Sequence, residues 1–241
     1  MVAHVPPVCS RPAADSIGGS MGGRWGMTED ARRPPDTRQA PSIGPPPPPE
    51  RLADFPVWHV HAGTVLCRVT TSGFGPWWFS SSAQGRFDLD PPRGTCYLAD
   101  DEVGALLEVL GPVTVVSPVW ASRLSMWHLG LPNQCSAADT TVREARGFGV
   151  TGELASITPY DLPQRWAAAF AAAGHQGVRY RVRHDPGGGR ALALFGPRGE
   201  RRWPRGRRQQ VGGVLLARLA SEAAITVAPL PATSDLGEIW D

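Results

Sequence analysis

Five consecutive prolines, Pro45 to Pro49, divide this chain into two unlike parts. Proline fixes φ and lacks a backbone N–H, so a run of it continues neither a helix nor the interior of a sheet. Residues 1–50 are rich in Pro, Gly, Ser, Ala and Arg and show no apolar period. They are expected to form a disordered tail ending in a short polyproline II spacer. A proline run can also be a ligand for aromatic-lined grooves, but a plain linker is the simpler reading. Order is expected to begin at Phe55. The expected division is therefore a tail over 1–54, one folded domain over 55–230 and a C-terminal tail over 231–241.

The remainder is long enough for a sizeable core: 241 residues in all, 41% hydrophobic and 19% charged. A formal net charge of +2 argues against an electrostatic nucleic-acid binder. All 24 Lys+Arg residues are arginine, as codon bias in a GC-rich genome would produce. Cys9, Cys67, Cys96 and Cys135 lie far apart with no Cys-x-x-Cys pair. They read as thiols of a cytosolic protein, not as a disulfide framework or zinc site, and no metal is expected. No apolar stretch is long enough to span a bilayer, and no charged start precedes an apolar core. A soluble cytoplasmic protein is expected.

Short apolar segments alternate with turns. Trp58–Val69 reads as a strand, Ser72–Ser82 as an aromatic-rich loop, and Phe87–Leu98 as a turn followed by a strand. Asp100 is placed to cap a helix running to about Leu110, with Val103, Leu106, Leu107 and Leu110 on one face. Glu108 falls away from that face. Val113–Val119 is β-branched and reads as a buried strand. Trp120–Asp139 has no clear period. A helix is expected from Asp161 through Phe170 to a stop at Gly174. Strands at 178–182 and 191–195 can pair as a hairpin, followed by a helix over 211–220 and a strand over 225–228. Without regular βαβ alternation, the fold class is α+β.

The polar residues between Arg68 and Glu108 carry the functional signal. Arg68 closes an apolar run, Arg86 sits in a Gly-Arg-Phe turn, Tyr97 ends a strand and Glu108 follows in the helix. A cleft lined by arginine, an aromatic ring and one carboxylate suits a ligand with phosphates, a flat ring and a bond that breaks through a cationic transition state. A nicotinamide dinucleotide fits that description. Each residue also has a structural reading. Arg68 and Arg86 can form ion pairs, for example with Asp88. Tyr97 can be a core tyrosine, and a lone outward Glu is usually solvated. His59 and His61 share a strand face but lack a third ligand. Trp77, Trp78 and Phe79 can wall a cleft or pack a core. The arginines from Arg198 to Arg208 read as a solvated basic loop or a surface for RNA or an acidic partner.

In their order along the chain these segments resemble the RES domain family, named for an Arg, a Glu and a Ser. The matching pieces are Arg68, Gly85-Arg86-Phe87, Tyr97-Leu98-Ala99, Glu108 and Gly177-Val178-Arg179-Tyr180, spread from about Trp58 to Pro197. The resemblance implies an ADP-ribosyltransferase-like mixed sheet with flanking helices. It further implies a toxin of a bacterial toxin–antitoxin pair, with an Xre-like antitoxin as partner. Such toxins cleave the nicotinamide–ribose bond of NAD with water or phosphate as acceptor, and NAD is then substrate, not cofactor. On that pattern Glu108 and Arg68 are the catalytic candidates, and Arg68, Arg86 and Tyr97 contact NAD.

Two positions depart from the family pattern. Cys67 stands where an aromatic residue is frequent, and Val182 stands at the Ser position. Valine offers no hydrogen bond. Arg181, Arg183 or His184 can take over a phosphate contact there, and Arg183 and His184 are therefore included among the NAD-binding candidates. Two rival functions remain open: transfer of ADP-ribose to a macromolecule, or a degenerate domain that only binds a partner.

Overall fold

The protein is described here by a computed structural model covering residues 42–71 and 73–229. Most of the expected N-terminal tail and all of the expected C-terminal one lie outside these residues. The helix α1 (Pro49–Leu52) follows the prolines. Next come β1 (Val57–Val60), β2 (Val65–Thr71), β3 (Trp78–Phe79) and β4 (Arg93–Ala99). Then α2 (Glu102–Leu110), β5 (Val115–Val116) and α3 (Pro118–Ala121) lead to β6 (Leu124–Gly130) and β7 (Cys135–Asp139). Two 3-10 segments, Arg143–Phe148 and Gly152–Ala155, precede α4 (Asp161–Ala172). The chain continues through β8 (Gly177–Arg181), β9 (Arg190–Pro197), β10 (Gly199–Glu200), β11 (Arg207–Gln210), α5 (Gly213–Ala223) and β12 (Thr226–Val227).

Eight strands form one sheet in the order β1-β7-β8-β9-β4-β2-β6-β11. Only β7 and β8 run parallel; every other neighbouring pair is antiparallel. The class is α+β, as the patterning predicts, with the mixed sheet that the resemblance implies. Because side chains alternate across a strand, the sheet has two apolar faces. On β4, Tyr97 and Ala99 face the layer that holds Leu106 of α2, Phe170 of α4 and Leu219 of α5. Cys96 and Leu98 face the other layer, with Trp77, Phe79 and Leu192. Trp77 and Phe79 have no exposed surface, so core packing is what they do.

Several sequence expectations shift. Residues 42–54 are not tail: Ile43 and Leu52 are buried, and the Trp166 indole donates to the Gly44 carbonyl at 2.9 Å. Their anchors are too sparse to make a period. The expected strand over 58–69 breaks into β1 and β2 at a turn through Gly63, whose φ is 81°. Val113–Val119 yields only the short β5, because Pro118 opens α3. Trp120–Asp139 holds two strands, of which β6 is buried on nearly every residue and so shows no alternation. The cap of α2 is Asp101, whose carboxylate accepts from the Gly104 amide at 2.7 Å, one residue later than expected.

Candidate active site

The site forms where the sheet comes apart. The central strands β2 and β4 share a single registered pair, Cys67↔Ala99. The gap beyond it opens into a cavity of about 340 Å³ between the strands, α2 and the segment after β8. Arg68, Val69, Arg86, Tyr97, Glu108, Tyr160, Tyr180, Arg183 and His184 line it. Residues far apart in sequence thus converge on one cleft, and all six sequence candidates are at its wall.

The turn carrying Arg86 is held by Asp88. That buried carboxylate accepts from the Tyr97 hydroxyl at 2.9 Å, the Gly85 amide at 3.1 Å and the hydroxyls of Ser82 and Ser80 at 3.2 and 3.3 Å. A Cβ at position 85 would overlap both the Asp88 carboxylate and the Tyr97 hydroxyl, so only glycine fits there. From the other side, the Gln164 amide of α4 donates to the carbonyls of Ala83 and Gly85, both at 2.9 Å. Asp88 therefore builds the turn and does not pair with Arg68 or Arg86.

Arg86 is 8% exposed, and among the described residues no carboxylate lies within 4 Å of its guanidinium. Its Nη1 donates to the Ile157 carbonyl at 2.6 Å, and the guanidinium lies 4.5 Å over the Tyr160 ring. Burial lowers its pKa. Arg68 is tethered in the same manner. Strand alternation places it opposite Trp127, on the other face from Cys67. Its Nη1 donates to the carbonyls of Pro76 and Trp78, both at 2.9 Å, and to the Cys96 sulfur. It reaches the cavity only because the strands have parted. Each arginine is anchored through one nitrogen, and among the described residues Nε and Nη2 of both make no hydrogen bond to protein.

Tyr97 presents its ring to the cavity while its hydroxyl stays with Asp88 and the Phe87 amide. Burial, then the Asp88 charge, raises its pKa well above the usual phenol value, so it is no proton donor to a substrate. Glu108 projects from the solvent side of α2 into the cleft. By surface area it is exposed, yet burial raises its pKa above the ordinary carboxylate range, with Arg86 opposing. The direction follows from protein packed on one side of a carboxyl that faces an open cavity on the other, and water in that cavity reduces its size. His184 is pushed the other way: partial burial first, then the charges of Arg183 and Arg86, lower its pKa.

Val182, at the expected Ser position, is 2% exposed and packs into the core facing α2. Its side chain thus contributes packing, and the polar groups of this segment that line the cavity are Tyr180, Arg183 and His184. Tyr160 and Tyr180 are the residues that sequence reasoning missed. Tyr160 belongs to no motif, and Tyr180 lies inside the segment that carried the resemblance without a role assigned. The Cys67 thiol also borders the cavity, but burial pushes its pKa up to about 11, which rules out a thiolate nucleophile near neutrality. Among the described residues no group of three His, Cys, Asp or Glu is placed to hold a metal, and His59 is hydrogen-bonded to Ser136 at 3.1 Å. No helix among them is long and apolar enough to cross a membrane.

An α+β domain with a split mixed sheet and an arginine-lined acid cleft is the class that fold and site define. The family model for the RES domain matches residues 57–210, and the chain belongs to that family. Its fold is similar to a chain of the crystal structure of the M. tuberculosis MbcT–MbcA toxin–antitoxin complex. That likeness has a TM-score of 0.50 and 16% identity, covering 71% of this chain and 94% of that one. No curated protein matches it.

Proposed function

We propose that this protein consumes NAD by cleaving its nicotinamide–ribose bond, as the toxin of a toxin–antitoxin pair. The observation that carries this reading is Arg86, a buried cation with no ion-paired acid among the described residues, facing a cleft that also holds one carboxylate. A buried unpaired charge is costly unless an anion completes it, and a pyrophosphate would do so. The free fork nitrogens of Arg86 and Arg68, with Arg183 and His184, supply donors for it. Tyr97 and Tyr160 offer ring faces for the flat nicotinamide.

Glu108 then faces the ribose. As the glycosidic bond lengthens, positive charge grows on the sugar, and a fixed carboxylate in a half-enclosed cleft lowers that barrier. The bonding electrons leave with neutral nicotinamide, and water or phosphate adds to the ribose carbon. A nearby protein is supported as partner by the toxin–antitoxin complex to which the fold is similar. An Xre-like antitoxin is the partner we propose. Loss of the Ser hydroxyl at Val182 leaves Arg183 and His184 as the groups that would receive an acceptor phosphate.

The test is purified protein mixed with NAD, with nicotinamide release followed with and without inorganic phosphate. Release that depends on Glu108 is expected, and phosphate dependence would identify the acceptor. Label from NAD appearing on a macromolecule would replace this reading with ADP-ribosyl transfer. No turnover by folded protein would leave a domain that only binds a partner.

A further inference from the structure

Four buried side-chain polar atoms among the described residues have no hydrogen-bond partner, Ser81 Oγ, His128 Nδ1, Arg179 Nε and the Tyr180 hydroxyl, and of these residues only Tyr180 lines the cleft. Tyr180 is 2% exposed, its ring packs 4.9 Å from Phe87, and its hydroxyl is buried without a hydrogen-bond partner. A buried hydroxyl left unpaired costs about 1–3 kcal/mol, so such groups call for an explanation. Tyr180 and Glu108 line the same cleft, and the hydroxyl lies within interaction range of the carboxylate. In the ligand-free geometry the two groups are close enough to interact but do not form a hydrogen bond of normal geometry: burial first, then Glu108, raises the Tyr180 pKa, and Tyr180 joins Arg86 and the Arg183 amide in opposing the rise that burial gives Glu108. Glu108 has room to turn, since it is exposed to the cavity. Tyr180 has none, since its ring is locked against Phe87.

We infer that Tyr180 is a positioning residue for Glu108, its hydroxyl donating to the carboxylate when substrate fills the cleft. This rests on the proposed NAD chemistry and adds a fixed donor that aims the carboxylate at the ribose. The other groups facing Glu108 are Arg86 from the turn and the backbone amide of Arg183. Arg183 and His184 side chains, Tyr97 and Tyr160 complete the wall. Arg86 is expected to be drawn toward the pyrophosphate, which leaves Tyr180 as the side-chain donor that stays with the carboxylate, beside the Arg183 amide.

The experiment is Tyr180→Phe, which keeps the ring on Phe87 and removes only the hydroxyl. Expected are an unchanged fold by circular dichroism, kcat down about tenfold and KM for NAD unchanged. The acid limb of the kcat profile should move to higher pH, because the hydroxyl favours the ionised carboxylate. Wild-type kcat with an unmoved limb would overturn the assignment, as would a loss confined to KM. Site-specific 3-fluorotyrosine at position 180 keeps shape and hydroxyl while making a stronger donor. It should move the limb to lower pH, and an unmoved limb would count equally against the pairing. Carbon NMR titration of the Glu108 carboxyl in wild type and Tyr180→Phe, each saturated with a non-cleavable carbocyclic NAD analogue, reads the contact without turnover. If wild type destroys no NAD, the functional reading fails, whereas an equal Glu108 titration in both proteins removes the pairing itself.

Discussion

Glu102 and Glu108 stand on the same helix and have opposite surroundings. Glu102 is bound by the His128 ring at 2.7 Å, the Gln209 amide at 2.8 Å and the Arg218 guanidinium, which join α2 to β6, β11 and α5. Glu108 faces an open cleft in which the surrounding donors, Arg86, the Arg183 amide and Tyr180, are held by other elements. One carboxylate has its partners built in and serves the fold. The other is left incomplete, at a cost to stability, where a ligand can complete it.

The largest contrast should come from neutralising each in turn. Glu108→Gln is expected to slow NAD loss by about 100-fold or more while leaving the fold intact. Its thermal stability above the ordinary glutamate range should equal or exceed that of wild type. The folded-state pKa of Glu108 is raised, so ionising it costs stability as pH rises through the unfolded and then the folded value. The same shift sets the acid limb of wild-type kcat above the pH of a free glutamate, because the ionised form is the active one. A pH–rate profile and melting curves of both proteins check these outcomes. A Glu108→Gln protein as active as wild type would remove the distinction between the two residues.

Next in size is the cation opposite Glu108. Arg86→Lys keeps the charge but loses the fork, and KM for NAD should rise about 10- to 100-fold, with a smaller change in kcat. Glu102→Ala should do the reverse. Stability should fall by about 1–3 kcal/mol in chemical denaturation, while NAD turnover of the folded fraction is unchanged. Arg68→Met is the smallest and most mixed case. Losing Nη1 contacts to Pro76 and Trp78 should cost about 1–2 kcal/mol, with a modest rise in KM where the free nitrogens faced phosphate. A stability loss with KM unchanged would leave Arg68 to the fold alone.

Local physics made much of this protein readable along the chain. The helix over Asp161–Ala172 with Gly174 past its end, the β8–β9 hairpin and the Gly85-Arg86-Phe87 turn all follow from caps, turn residues and period. The ordered motif set from Arg68 to Tyr180 was enough to point to the family. Pairing over long distance was not readable. β6 lies between β2 and β11 and is buried on both faces, so it carries no alternation to mark it. Residues 42–54 fold because Ile43 and Leu52 find α4, which nothing in their own composition announces.

The sequence by itself determined which chemistry was on offer: two arginines, a tyrosine and a glutamate at turns and element ends, with valine in place of a serine. Only the tertiary structure decided how they meet. The single Cys67↔Ala99 pair lets β2 and β4 part and turns a sheet interior into a cleft. The same parting admits Arg68 from the opposite face, and Tyr160 before α4 and Tyr180 on β8 complete the wall. Such a gap is set by the balance of non-local strand pairing and packing, and no local period or propensity encodes that balance.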